Sequence, residues 1–182
     1  MKIPSIEKLL EDQLKDLYNA ENQLVKALPK MAKAASSEGL KEAFTSHLEE
    51  TREQVARLDK VAKLLGIKLS GKKCAAMEGL LEEGKEMIEA EGPEGVIDLG
   101  LIAGAQRVEH YEISAYGSAR ALAEQLGHSE VAALLQETLD EESAADEKLT
   151  GIATDEVMPT AVAGDDEEEV AAAPRNGSRR RR

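Results

Sequence analysis

The sequence predicts an all-α protein: four long helices bundled together, with a shorter helix in the long connection between the second and third. Three observations carry this. Apolar residues recur at steps of three and four through four long segments, which places them on one face of each helix. No segment alternates polar and apolar residues as a half-buried strand would. Aromatic residues make up only 2% of the chain and tryptophan is absent, so Leu, Ile, Val, Ala and Met must build the core. That composition suits helix packing better than a β-sandwich.

The first helix runs from about Ser5 to Ala35, with Leu10, Leu14, Leu17, Glu21, Leu24, Leu28 and Met31 as its stripe. Pro29 predicts a kink or local adjustment near its end. "SSEGL" marks a turn, and the second helix follows from about Leu40 to Leu65. Its inner side reads Leu40, Phe44, His47, Thr51, Val55, Leu58, Ala62 and Leu65, with Glu50 on the edge of that face. Gly66 and Gly71 punctuate what comes next. The connection carries an amphipathic segment, about residues 75–90, with Met77, Leu80, Leu81, Met87 and Ile88. "EGPEG" breaks the chain before a third long helix from about Val96 to Leu126. "LGHSE" ends it and offers Ser129 as the N-cap of the fourth, which reaches about Ile152.

Each long helix is roughly 36–46 Å in length. Short hairpins join the first pair and the last pair, and a long crossover joins the pairs. This is the connection of a ferritin-like up-down four-helix bundle. The bundle is assigned to residues 1–153. From Thr154 the chain loses periodicity, running from an acidic block through an alanine run to "RRRR", and residues 154–182 are expected to be a disordered tail.

The net charge of −13 argues against a nucleic-acid-binding body, although Arg179 to Arg182 offer a weak contact for nucleic acid or an acidic partner surface. No apolar run approaches the length of a signal peptide core or a membrane span. One cysteine, Cys74, excludes a disulfide within the chain and fits a reducing compartment, so a cytoplasmic protein is expected.

The anomaly lies in the stripes. In the third helix the core-facing series is Ile102, Ala105, Glu109, Glu112, Tyr116, Ala119, Ala123 and Leu126. Two carboxylates there cost several kcal/mol of desolvation unless something compensates their charge. The same interruption occurs near the middle of every long helix: Glu21; His47 and Glu50; Glu109 and Glu112; Glu142 and Asp146. In an up-and-down bundle these positions converge on one layer. Carboxylates gathered there without cations would repel one another and become weaker acids. A pair of metal ions offsets the charge, and oxygen-rich ligands with one imidazole suit iron first and manganese second. Carboxylate-bridged di-iron bundles use one glutamate on each of two helices and Glu-x-x-His on the other two. Here the second helix reverses that order, and the fourth has no histidine, so the site is richer in carboxylate. His110 and His128 are expected at the surface.

The segments "LKDLYNAENQLVKALPKMAKAA", "SHLEETREQVARLDKV", "CAAMEGLLEEG", "VEHYEISAYGSARALAEQLG" and "LLQETLDEESAADEKLT" resemble, in order, the YciE/YciF-type family of bacterial ferritin-like proteins. The resemblance covers about residues 5–153. It implies the ferritin-like fold, a homodimer, a link to stress responses and a di-metal site at Glu21, His47, Glu50, Glu109, Glu112, Glu142 and Asp146. The apolar groups Val108, Tyr111 and Ala115, beside the core stripe of the third helix, also suggest a covered outer face and a homodimer.

Two functional readings follow. One is redox chemistry on oxygen or peroxide at an iron or manganese pair, with Tyr18 and Tyr116 near the centre as hydrogen-bond or electron donors. The other is a non-catalytic metal-binding or structural stress protein whose inward carboxylates fix helix register. Cys74 reads as a thiol packed beside Met77, or as a redox sensor made thiolate by Lys72 and Lys73.

Overall fold

Ser5 starts the first helix, its hydroxyl accepting from the Lys8 amide at 3.3 Å, and Ser37 does the same for the second by accepting from Leu40. A computed structural model describes residues 2–162 of the chain. It contains α1 (Ile6–Ala34), α2 (Glu38–Leu65), α3 (Ala75–Ile88), α4 (Glu94–Gln125) and α5 (Ser129–Ile152). No strand occurs among the described residues. None of their helices is long and apolar enough to cross a membrane. α1 continues through Pro29. α2 ends on Gly66 at φ 65° and α4 is followed by Gly127 at φ 76°, left-handed positions that glycine adopts without strain.

α1 lies between α2 and α4, and α5 closes the square by contacting α2 and α4. Direction follows from shared neighbours. Leu10, Leu14 and Leu17 share one apolar cluster with Leu58 and Val61, with Tyr116 and Ala119, and with Val131 and Leu135. Leu24, Leu28 and Met31 share the other with Leu40 and Phe44, with Leu101 and Ile102, and with Leu149 and Ile152. Every adjacent pair is therefore antiparallel. The expected ferritin-like bundle is the fold observed.

α3 lies across the α1–α4 seam. Gly100 makes that close approach possible, because a Cβ there would stand 2.3 Å from the Met87 sulfur. Val108 is buried in the same cluster as Cys74 and Met77, and Tyr111 packs against it. The outward apolar groups that suggested a homodimer are thus largely covered by the chain's own crossover helix. The expectation of a dimer then rests on the family resemblance alone.

Two boundaries differ from expectation. His128 takes the N-cap position of α5, and Ser129 is the first helical residue. The chain also does not leave the bundle at residue 153: a π-helical turn, Ala153–Val157, leads into helix that continues through residue 162. Its Ala153 and Val157 are buried in the lower cluster. A step from Ile152 to Val157 breaks the 3.6-residue period, and that is why the stripe vanished from the sequence pattern. The remainder of the expected tail, including Arg179 to Arg182, lies outside the described residues.

Candidate metal centre

The two apolar clusters do not meet. Between them lies a layer in which all four long helices turn polar side chains inward: Glu21 from α1, His47, Thr51 and Gln54 from α2, Glu109 and Glu112 from α4, Thr138 and Glu142 from α5. Their positions follow from the same spacing that places the leucines on either side of them. Glu21, Glu112 and Glu142 are fully buried, and His47 and Glu109 nearly so.

Four of these residues converge. Ligand atoms of His47, Glu109, Glu112 and Glu142 all lie within 4.8 Å of one another. His47 Nε2 stands 3.6 Å from Glu109 Oε1 and 3.7 Å from Glu142 Oε2. These separations exceed a hydrogen bond. Donors at about 2.1 Å from one ion sit up to about 4.2 Å apart, so a small rotation of side chains closes this group around a metal.

The atoms in question lack any other use. Both oxygens of Glu112, both of Glu142, Glu109 Oε2, Glu21 Oε2 and His47 Nε2 are buried without a hydrogen-bond partner. An unpaired buried carboxylate is among the costliest groups a fold can hold. Burial pushes the acids of Glu21, Glu109 and Glu112 well above the usual carboxylate range, and repulsion between neighbouring glutamates adds to it. Burial raises Glu142 as well, with His47 opposing the shift. The donor set fits oxygen-preferring, imidazole-tolerant ions such as iron or manganese.

Glu21 is the fifth member. Its Oε1 accepts from the hydroxyl of the buried Tyr116, which leaves Oε2 free beside the cluster. Burial, then the charges of Glu21 and Glu112, raise Tyr116 and keep it a proton donor. Of the remaining expected ligands, Glu50 sits at the rim with its side chain half exposed and bonds His47 Nδ1 at 3.2 Å. That bond lowers its acid. Asp146 points elsewhere, accepting from Gln106 Nε2 at 3.0 Å and lying 3.5 Å from the exposed His110. Neither belongs to the converging group.

Sequence reasoning passed over Gln54, Arg57 and Glu141. Gln54 is fully buried where Val55, its half-buried neighbour, was expected. The step from Thr51 to Gln54 to Leu58 fits a helix face equally well, but preference for an apolar residue chose Val55. Arg57 donates to Glu141 through two bonds of 2.7 Å and to Thr138 Oγ1 at 2.7 Å, clamping α2 to α5. Its charge partly offsets the burial of Glu21.

Of the two readings of Cys74, the structure favours the thiol packed beside Met77. The thiol is buried and caps α3, accepting from the Met77 amide, and stands 3.0 Å from the Tyr111 hydroxyl. Lys72 is committed to Asp12 and Asp16, and Lys73 to Glu78. Burial makes the thiol a weaker acid, so the neighbouring lysines do not make it a thiolate.

Fold and centre together define a ferritin-like bundle with a carboxylate-rich layer that suits metal. Residues 5–162 match the family described as Domain of unknown function (DUF892), and the chain belongs to that family. Protein YciF of Escherichia coli (strain K12) is 49% identical over 158 residues, which cover 86% of this chain and 95% of the relative. The crystal structure of the E. coli stress protein YciF aligns with TM-score 0.81 at 50% identity, covering 83% of this chain and 96% of that one. YcfI from Rhodopseudomonas palustris, proposed to be a structural protein, aligns with TM-score 0.79 at 46% identity over 82% and 95% of the two chains. The family match reaches residue 162, the last of the described residues.

Proposed function

We propose that this protein binds two metal ions, iron first and manganese second, and uses them in redox chemistry on oxygen or peroxide during stress. The observation that carries this reading is the set of buried, unpartnered ligand atoms contributed by all four long helices to one layer. His47, Glu109, Glu112 and Glu142 would hold one ion, and Glu21, whose Oε2 is buried without a partner in the same layer, would help to hold a second. When bound, such a pair supplies two adjacent centres able to exchange electrons with an O–O unit. The chain's own contribution is to hold the ligands dry between two apolar clusters and to keep a phenol proton at Tyr116 Oη against Glu21. The E. coli relative is called a stress protein, and that supports the physiological setting. The test is consumption of hydrogen peroxide by iron-loaded protein beside chelator-stripped protein. Metal-dependent turnover supports the reading, and equal rates in the two samples count against it.

A structural role is favoured by a different observation. Arg57 clamps α2 to α5 and Tyr116 ties α4 to α1 at the same level, bonds that fix register without any ion. The relative from R. palustris carries a description of that kind. Protein that binds metal stoichiometrically yet turns over no peroxide would favour this reading over the redox one.

A further inference from the structure

The centre is buried, yet ions must reach it. The α1–α4 seam is covered by α3. Between α2 and α5 there is instead a cavity of about 180 Å³ that opens to solvent and has His47 and Glu109 among its lining residues. That volume admits several waters. Its walls include Phe44, Ala145 and Leu149. At the mouth Lys148 Nζ reaches across to Ser46 Oγ at 3.2 Å.

Two carboxylates line this cavity besides Glu109, namely Glu141 and Glu50. Glu141 is neutralised by the paired bonds from Arg57. Glu50 has no such paired bonds: among the described residues its one side-chain hydrogen-bond partner is His47 Nδ1, and the Lys148 charge acts on it only through space. The opposite nitrogen of that imidazole faces Glu109 and Glu142. One side chain therefore has Glu50 on its solvent side and the converging ligands on its inner side.

We infer that the α2–α5 cavity is the route by which divalent cations enter the centre, and that Glu50 is its capture ligand, binding the ion in transit and not at rest. This rests on the reading of the buried layer as a metal site. A half-exposed carboxylate at the mouth raises the local concentration of cations and lets the ion exchange water for protein oxygen stepwise. A small residue such as Ala145 keeps the passage open.

A transit ligand has a kinetic signature that a resident ligand lacks. It lowers the barrier in both directions and leaves the bound state unchanged, so its loss slows uptake and release together at constant affinity. The experiment follows Co²⁺ uptake by the full chain in a stopped-flow competition with a fluorescent chelator, and release by dilution into excess chelator. Glu50→Gln is expected to slow both rates about tenfold, within the range that electrostatic steering spans. Ala145→Phe is expected to slow both by blocking the passage without removing a charge. Circular dichroism melts confirm that each variant is folded. Unchanged rates in both variants, with normal uptake by the parent, overturn the route and leave the metal site standing. A Glu50→Gln protein whose affinity falls while its uptake rate holds overturns the transit role and leaves Glu50 a resident ligand or a group that orients His47. A parent that binds no Co²⁺ at all removes the metal site, and the route with it.

Discussion

Glu112→Gln separates the roles of charge and shape in the buried layer. Glu112 is fully buried, and both its oxygens are without a partner. The amide keeps the size of the side chain but cannot carry a charge. In metal-free protein, burial and then the charges of Glu21, Glu142 and Glu109 raise the Glu112 acid in the folded state. A raised acid contributes stability fully present below the unfolded value of about 4.3, and that contribution is lost as pH rises through the folded value. At neutral pH the glutamine escapes the loss, so the metal-free variant is more stable than its parent by on the order of 1–3 kcal/mol. Near pH 4 the two converge. Metal shifts the balance toward the parent. At a free metal concentration of about 100 times Kd, binding stabilises the parent by about 2.7 kcal/mol. A hundredfold loss of affinity leaves about 0.4 kcal/mol by the same relation, a difference of about 2.3 kcal/mol. For a domain of this size the rise in Tm on adding metal is therefore smaller in the variant by roughly 5–9 °C. Thermal unfolding followed by circular dichroism, with chelator and with Mn²⁺, reads both arms. A variant destabilised equally in the two conditions would refute the reasoning, because Glu112 would then be a structural group indifferent to metal.

Four further outcomes follow from the same structure. In chelator the parent's urea midpoint should fall as pH rises from 5 to 8, since Glu21, Glu109, Glu112 and Glu142 all have raised acids, and Mn²⁺ should flatten or invert that slope. Tyr116→Phe strands the second oxygen of Glu21 and should cost about 1–3 kcal/mol in urea unfolding of metal-free protein, with a smaller loss when metal supplies a partner. Asp98→Ala should cost about 2–3 kcal/mol without changing metal content, because its buried carboxylate accepts from the Ser36 and Ser37 amides at 2.9 and 2.7 Å and closes the α1–α2 turn. The homodimer that the family resemblance implies is proposed for this chain, and sedimentation at micromolar concentration should show a species of twice the chain mass; a monomer alone would count against it.

The fold was legible because its cause is periodic. Leucines at steps of three and four set four helix faces, and glycines at 66 and 127 set two of the ends. The buried acids were legible for the same reason, since Glu21, Glu109, Glu112 and Glu142 occupy positions that the stripe reserves for the core. What the pattern could not resolve was direction at the edge of a stripe. Glu50 and Asp146 lie one helical turn from His47 and Glu142 of the converging group, yet a shift of some tens of degrees takes Glu50 to the rim and Asp146 to Gln106. Gln54 was hidden because a buried amide and a half-buried valine are one residue apart, and only the partner Glu141 tells them apart. The extension to residue 162 was hidden by a change of period. The cover that α3 gives to Val108 and Tyr111 depends on tertiary placement, which no local spacing contains.

The most direct test of the central claim is anomalous diffraction at the iron and manganese edges, from crystals grown with each ion. The account predicts a peak among His47, Glu109, Glu112 and Glu142, with a second on the side of Glu21. Clean anomalous maps with no peak in that layer, or with ions bound only to surface carboxylates, would contradict it.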